Sequence, residues 1–175
     1  MPEQPALNPT AAAMVEKKSA SQFVGFQLAE QEYAFHIGKI REIVIIDQVT
    51  EVPQVAHFVD GVTNLRGSII PIVNLRKLFG LESKPTDNET RTIVVNVGER
   101  TMGCTVDMVS QVMRISNEDI QAAPDTVTAD GANYISGFAK LGERLLIILD
   151  IEKLLDPDKL EQVRQAAPLD LRTTD

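Results

Sequence analysis

The same plan of strands is written twice along this chain. LAEQEYAFHIGKIREIV at 28–44 runs in step with VGERTMGCTVDMVSQVM at 97–113, and FVDGVTNLRGSIIPIVNLRKLF at 58–79 with YISGFAKLGERLLIILDIEKLL at 134–155. Gly61 falls on Gly137, Asn74 on Asp150 and Leu78 on Leu154. Whatever one half forms, the other should form too. Alternating apolar and polar residues give each half about five short strands. Such strands leave exposed edges unless the sheet curls. The expected fold is therefore all-β, two small barrels side by side, each of five strands; a two-sheet sandwich of the same strands is the alternative. Either way a seam lies between the halves, a natural place for a partner to dock.

Local signals divide each half into hairpins. FVGFQLAEQEYAFHI turns at AEQE, RTIVVNVGERTMGCTV at Gly98–Glu99, and ISGFAKLGERLLIILD around Gly142. GVTNL and SIIPIVNL flank a turn at Arg66–Gly67, where Gly67 supplies backbone freedom. Pro71 has no N–H to donate, so its strand needs an edge position or a bulge. RKLF and IEKLL read as short helices, the first stopped by Gly80. Asp156–Pro157 suits the start of a C-terminal helix. Residues 1–20 hold three prolines and an alanine cluster and read as a disordered tail. The folded unit is expected over 21–167, made of the two repeated subdomains, with 168–175 a flexible end.

Composition excludes several functions. A formal charge of −8 is a poor footing for nonspecific nucleic-acid binding or for docking on anionic lipid. The single cysteine, Cys104, rules out an intramolecular disulfide and reads as a small apolar filler. No apolar stretch approaches the roughly 18 residues needed to cross a bilayer, and no leader pattern opens the chain, so a cytoplasmic location without membrane insertion is expected. Asp47, Asp60, Asp107 and Asp150 are scattered along the chain, and the last two end strand-like runs where capping is common. His36 and His57 lack a metal-ligand pattern, and nothing resembles a nucleophile elbow. GVTNLRG and GERTMG lack the Lys and Ser/Thr order of a phosphate loop. The reading is of a non-enzyme with no cofactor and no metal.

Arg66 stands out instead. At a turn its guanidinium reaches outward and offers a fixed fork of donors to a carboxylate. A merely solvated turn arginine is the alternative. Asn64 is placed to hydrogen-bond within the turn. Arg76, after the returning strand, reads as decoration of the small helix.

GVTNLRGSIIPIVNLRKLFG, together with FQLAEQEYAFHIGKIREIV, TEVPQVAHFVDGV, GERTMGCTVDMVSQVM and YISGFAKLGERLLIILDIEKLL, resembles the CheW family, the coupling proteins of bacterial chemotaxis. The likeness spans roughly residues 21–165. It implies two SH3-like five-stranded barrels, no catalytic site and no cofactor. It implies a scaffold that couples methyl-accepting chemoreceptors, at their cytoplasmic tips, to the regulatory domain of the CheA histidine kinase, with possible contacts to other CheW copies in membrane-associated arrays. A scaffold of the same kind serving a non-motility chemosensory pathway is the alternative. The family's receptor-coupling arginine matches Arg66, with Asn64, Leu65 and Gly67 keeping the motif around it. Gly61 matches the glycine that opens the segment, and Ile40 and Val62 match further surface or groove positions.

Overall fold

The computed structural model describes residues 19–128 and 132–156. The expected tail up to residue 18, the helix after Asp156 and the chain end at 168–175 lie outside these residues.

Strand formation follows the alternation. β1 (Ala20–Leu28) pairs with β2 (Gln31–His36), burying Phe26, Leu28 and Phe35. A 3₁₀ turn at Ile37–Lys39 leads into β3 (Ile40–Val44). β4 (Val59–Leu65) and β5 (Ser68–Asn74) make the next hairpin, followed by a helical turn at Leu75–Leu78. β6 (Arg91–Val97), β7 (Arg100–Val106) and β8 (Met108–Ser116) then run as a meander. A second 3₁₀ turn at Asn117–Asp119, a two-residue β9 (Ile120–Gln121) and a helical turn at Asp125–Thr128 precede the last hairpin. That hairpin is β10 (Ile135–Leu141) with β11 (Arg144–Leu149), closed by a helical turn at Ile151–Leu154. Asn74 and Asp150, paired by the repeat, are both N-caps: Asn74 accepts from Lys77 N–H, and Asp150 from the N–H groups of Glu152 and Lys153.

The strands do not sort by repeat. One sheet runs β8-β1-β2-β11-β10-β9 and the other β3-β6-β7-β5-β4. The first hairpin of each repeat has crossed into the sheet of the other. Two parallel joins mark the exchange, β2 with β11 and β5 with β7. They are equivalent under the repeat, since Ala34 faces Ile148 in one and Gly103 faces Ile72 in the other.

The expectation of two closed five-stranded barrels is corrected here. One sheet has six strands and the other five, both are mixed, and no pairing joins β3 to β4 or β8 to β9. The strands that would close them are too short. β9 has two residues, and the segment after β3, interrupted by Pro53, makes one isolated bridge, Thr50 with Val62. The five-stranded sheet curls without closing: Val44 of β3 and Leu65 of β4 pack on the same small core of Ile70, Ile72 and Val94. Pro71 sits where β5 has no neighbour on the β7 side, locally an edge. It lies in an interior strand, just ahead of the Ile72–Asn74 stretch that pairs with β7, where no ladder donor is required of it.

The main core takes residues from both sheets, among them Phe26, Leu28, Phe35 and Leu149 from one, and Val73, Ile93, Val95 and Cys104 from the other. The junction between the sheets is thus filled with side chains. A second cluster, with Phe23, Met113, Leu146 and Ile148, belongs to the six-stranded sheet alone. Burial pushes the Cys104 thiol up to about 12, leaving it inert.

Candidate interaction site at the Arg66 turn

Leu65 faces Ser68 across the β4–β5 turn, so Arg66 and Gly67 alone reverse the chain. Both have positive φ, 52° and 90°, the pair of left-handed residues that a tight hairpin with right-handed strands demands. Gly67 adopts this freely; Arg66 does so against its own Cβ. Asn64 Oδ1 accepts from Gly67 N–H at 2.8 Å, fixing the turn. Gly98 and Gly142 hold the β6–β7 and β10–β11 turns with φ of 62° and 64°, and Ala29 the β1–β2 turn with φ of 56°.

The Arg66 side chain is 71% exposed, whereas Glu42, its ion-pair partner on β3, is 23% exposed. Arg66 Nη1 donates to Glu42 Oε2. The hydrogen bond to Glu42, then its charge, raise the guanidinium pKa further above its usual value. This ion pair spans the open edges of the curled sheet, from β3 to the β4–β5 turn. The remaining donors of the fork face solvent. Exposed apolar residues occur on both strands: Ile69, opposite Asn64 on the same hairpin, is 64% exposed, and Ile45, just beyond β3, is 62% exposed. The site is therefore an exposed guanidinium oriented by a carboxylate, on a hairpin that also exposes Ile69.

The other expected positions distribute unevenly. Asn64, Arg66 and Gly67 share the turn. Gly61 is buried at the far end of β4, where an added Cβ would stand 2.1 Å from the Thr50 carbonyl oxygen. Val62 is half-buried and bonded to Thr50 through both backbone groups. Ile40 is half-buried against the main core at the start of β3.

Sequence reasoning missed Glu42. The available signal was its place two residues before Val44 in the alternation of β3, which puts an acid on the face where Val44 packs on the small core. It also missed the role of Arg76, which binds Asp107 twice, through Nε and Nη2, both at 2.7 Å. Asp107 additionally accepts from Ala29 N–H, tying the β1–β2 turn to the helical turn after β5. Burial disfavours the charged form of Asp107, but the hydrogen bonds of Arg76 and Ala29 and the charges of Arg76 and Lys84 outweigh it, holding the carboxyl below its ordinary range. Glu32 is a third case, buried and bound by Ser110 Oγ and by Arg144 Nη1.

The scattered carboxylates do not converge. Asp60 pairs with Lys77, Asp107 with Arg76, and Asp150 caps a helical turn. Among the described residues no three His, Cys, Asp or Glu side chains gather as a metal site, and no described helix is long and apolar enough to cross a membrane.

An exposed, braced donor group on an interleaved pair of sheets, with apolar neighbours, defines an interaction module. The CheW-like domain family matches residues 22–159. The chain is 39% identical over 158 residues to the chemotaxis protein CheW of Klebsiella aerogenes, covering 90% of this chain and 95% of that one. It is 34% identical to CheW of Thermotoga maritima, covering 77% and 87%. Among solved structures, the scaffolding protein TtCheW of Thermoanaerobacter tengcongensis superposes with a TM-score of 0.71 at 32% identity, over 78% of this chain and 92% of that one. The chain belongs to the CheW family of chemotaxis adaptors and is a non-enzymatic scaffold of chemotaxis signal transduction.

Proposed function

We propose that this scaffold bridges the cytoplasmic tip of a methyl-accepting chemoreceptor and the regulatory domain of a CheA histidine kinase, in the cytoplasm, recruited to membrane-associated arrays where copies also touch one another. The working unit is residues 21–167. Arg66 is the centre of the receptor-facing surface, with Asn64 and Gly67 shaping its turn, and Gly61, Val62 and Ile40 completing the strands behind it. One observation carries this: Arg66 is exposed and oriented by Glu42, on a hairpin that exposes Ile69, although a left-handed arginine is locally unfavourable.

The chemistry fits a helical partner. A receptor helix lays apolar side chains on the isoleucines while the free donors of Arg66 take a carboxylate or a loop carbonyl. A few buried apolar contacts carry most of the binding energy and the charged rim sets geometry. Because the main core fills the junction between the sheets, the contact lies along the rim. The kinase domain must use a separate surface for one copy to hold both, and many weak bridges add up to a stable lattice.

Arg66→Glu tests the site. It sets two carboxylates against each other at the turn and repels an acidic partner. Titration with a receptor-tip fragment should show at least about tenfold weaker binding, the scale of one charge-assisted contact. Affinity equal to wild type would remove Arg66 from the interface.

A further inference from the structure

The two 3₁₀ turns share one backbone geometry but are capped by different chemistry, at positions that the sequence repeat does not pair. In the second, Ser116 Oγ accepts from Glu118 N–H at 3.3 Å. In the first, His36 Nδ1 accepts from Gly38 N–H at 3.0 Å. The backbones match: φ and ψ are −63° and 132° at His36, −66° and 139° at Ser116. Both turns end on an isoleucine whose N–H bonds back to the first residue of the turn. A hydroxyl accepts at any ordinary pH. An imidazole accepts only while neutral, because the imidazolium has donors on both nitrogens and no acceptor whichever way the ring is turned.

The capped turn, which leads out of β2, holds a contact with the turn that follows the neighbouring strand β11. Lys39, its last residue, pairs with Glu152 in the helical turn after β11. The hydrogen bond to Glu152 heads the causes that raise the Lys39 pKa above its usual value. His36, Lys39, Asp150 and Glu152 line one cavity of about 330 Å³, with Ser136 polar and Phe23, Ile120, Ile148, Leu149 and Ile151 apolar. The His36 ring stands edge-on to Phe23. The charged groups that line the cavity with the imidazole are thus Lys39 from its own turn and Asp150 and Glu152 from the segment after β11.

We propose that His36 is a proton-operated latch on the Ile37–Lys39 turn. Neutral, it caps the turn and holds Lys39 on Glu152 where the chain enters β3. Protonated, it gives up Gly38, is drawn toward Asp150 and Glu152, is repelled by Lys39, and lets the turn loosen. Since β3 carries Glu42, acid is sensed on the strand that braces Arg66. The latch itself does not depend on which partner Arg66 meets.

The test uses the full chain without partners. Amide exchange at Gly38, corrected for the intrinsic effect of pH, is followed by NMR from pH 7.5 to 5.5 together with the His36 ring signals. Wild type should lose about 2- to 10-fold protection at Gly38 as the ring titrates, the worth of one net hydrogen bond. His36→Ser, which copies Ser116, should keep Gly38 protected across the range. His36→Ala should lack that protection at both ends. Glu118 serves as the internal control and should not respond. The proposal is overturned if Gly38 protection stays constant while the His36 ring titrates, or if His36→Ser shows the same loss on acidification.

Discussion

At the residue scale, Arg66 sets local conformation against the role proposed for it. A non-glycine residue in the left-handed region is disfavoured by about 1 kcal/mol. Arg66→Gly should therefore leave the melting temperature unchanged or raise it, while removing the guanidinium and weakening receptor-tip binding. Thermal melts and binding titrations on one preparation check both halves; a large loss of stability would mean that the Glu42 ion pair outweighs the strain. The turn itself was legible in NLRG, because few residue pairs besides one ending in glycine reverse a hairpin so tightly. Glu42 was not, because its contact with Arg66 arises only when the five-stranded sheet curls β3 toward β4. Arg76 was misread for the same reason: its partner Asp107 lies in the other repeat, and nothing near Arg76 in the chain announces it.

At the element scale, two glycines matched by the repeat answer the same demand to different degrees. Gly61 lets the Thr50 carbonyl approach, and a Cβ there would sit 2.1 Å from that oxygen on a backbone with φ of 149°. At Gly137 the corresponding distance to the Gln121 carbonyl oxygen is 2.8 Å. Alanine at either must push a covering segment off the sheet edge. Gly61→Ala should cost several kcal/mol, about 3 or more, because steric and backbone penalties add; Gly137→Ala should cost less. Denaturant melts rank the two, and equal or reversed losses would contradict this reading. The hairpins were readable because alternation and turn glycines act over neighbouring residues. Their allocation to sheets was not. β1–β2 reads identically whether it joins the strands that follow it or, as found, β8 and β11. Closure failed for a related reason: β9 and the bridge at Thr50 hold too few residues to pair along a whole edge.

At the scale of the whole molecule, the exchange of hairpins makes the two sheets one unit. Asp107 and Arg76 stitch them from the side, and this gives stability a definite pH dependence. Because the Asp107 pKa is lowered by folding, its contribution is fully present above the ordinary carboxylate range of about 4 and is lost as pH falls through the lower folded value. Asp107→Asn should destabilise at pH 7 by about 1 to 3 kcal/mol, less than for a fully buried pair. The gap to wild type should narrow on acidification. Denaturant midpoints measured from pH 7 to pH 2.5 would show it, and a constant gap would place the effect of the mutation elsewhere. The repeat and the interaction role were legible before any contact was known; the joint core was not, since a seam between two halves reads the same whether it is open or filled.

The most direct measurement is a three-component assembly: the full chain, a receptor-tip fragment and a CheA regulatory-domain fragment, followed by sedimentation with wild type and Arg66→Glu. Wild type should carry both fragments in one complex. Arg66→Glu should lose the receptor fragment while holding the kinase fragment with affinity changed by less than about twofold, as expected for a contact outside that interface. If the two fragments displace one another on wild type, or if both remain on Arg66→Glu, the bridging role assigned to the Arg66 surface is wrong.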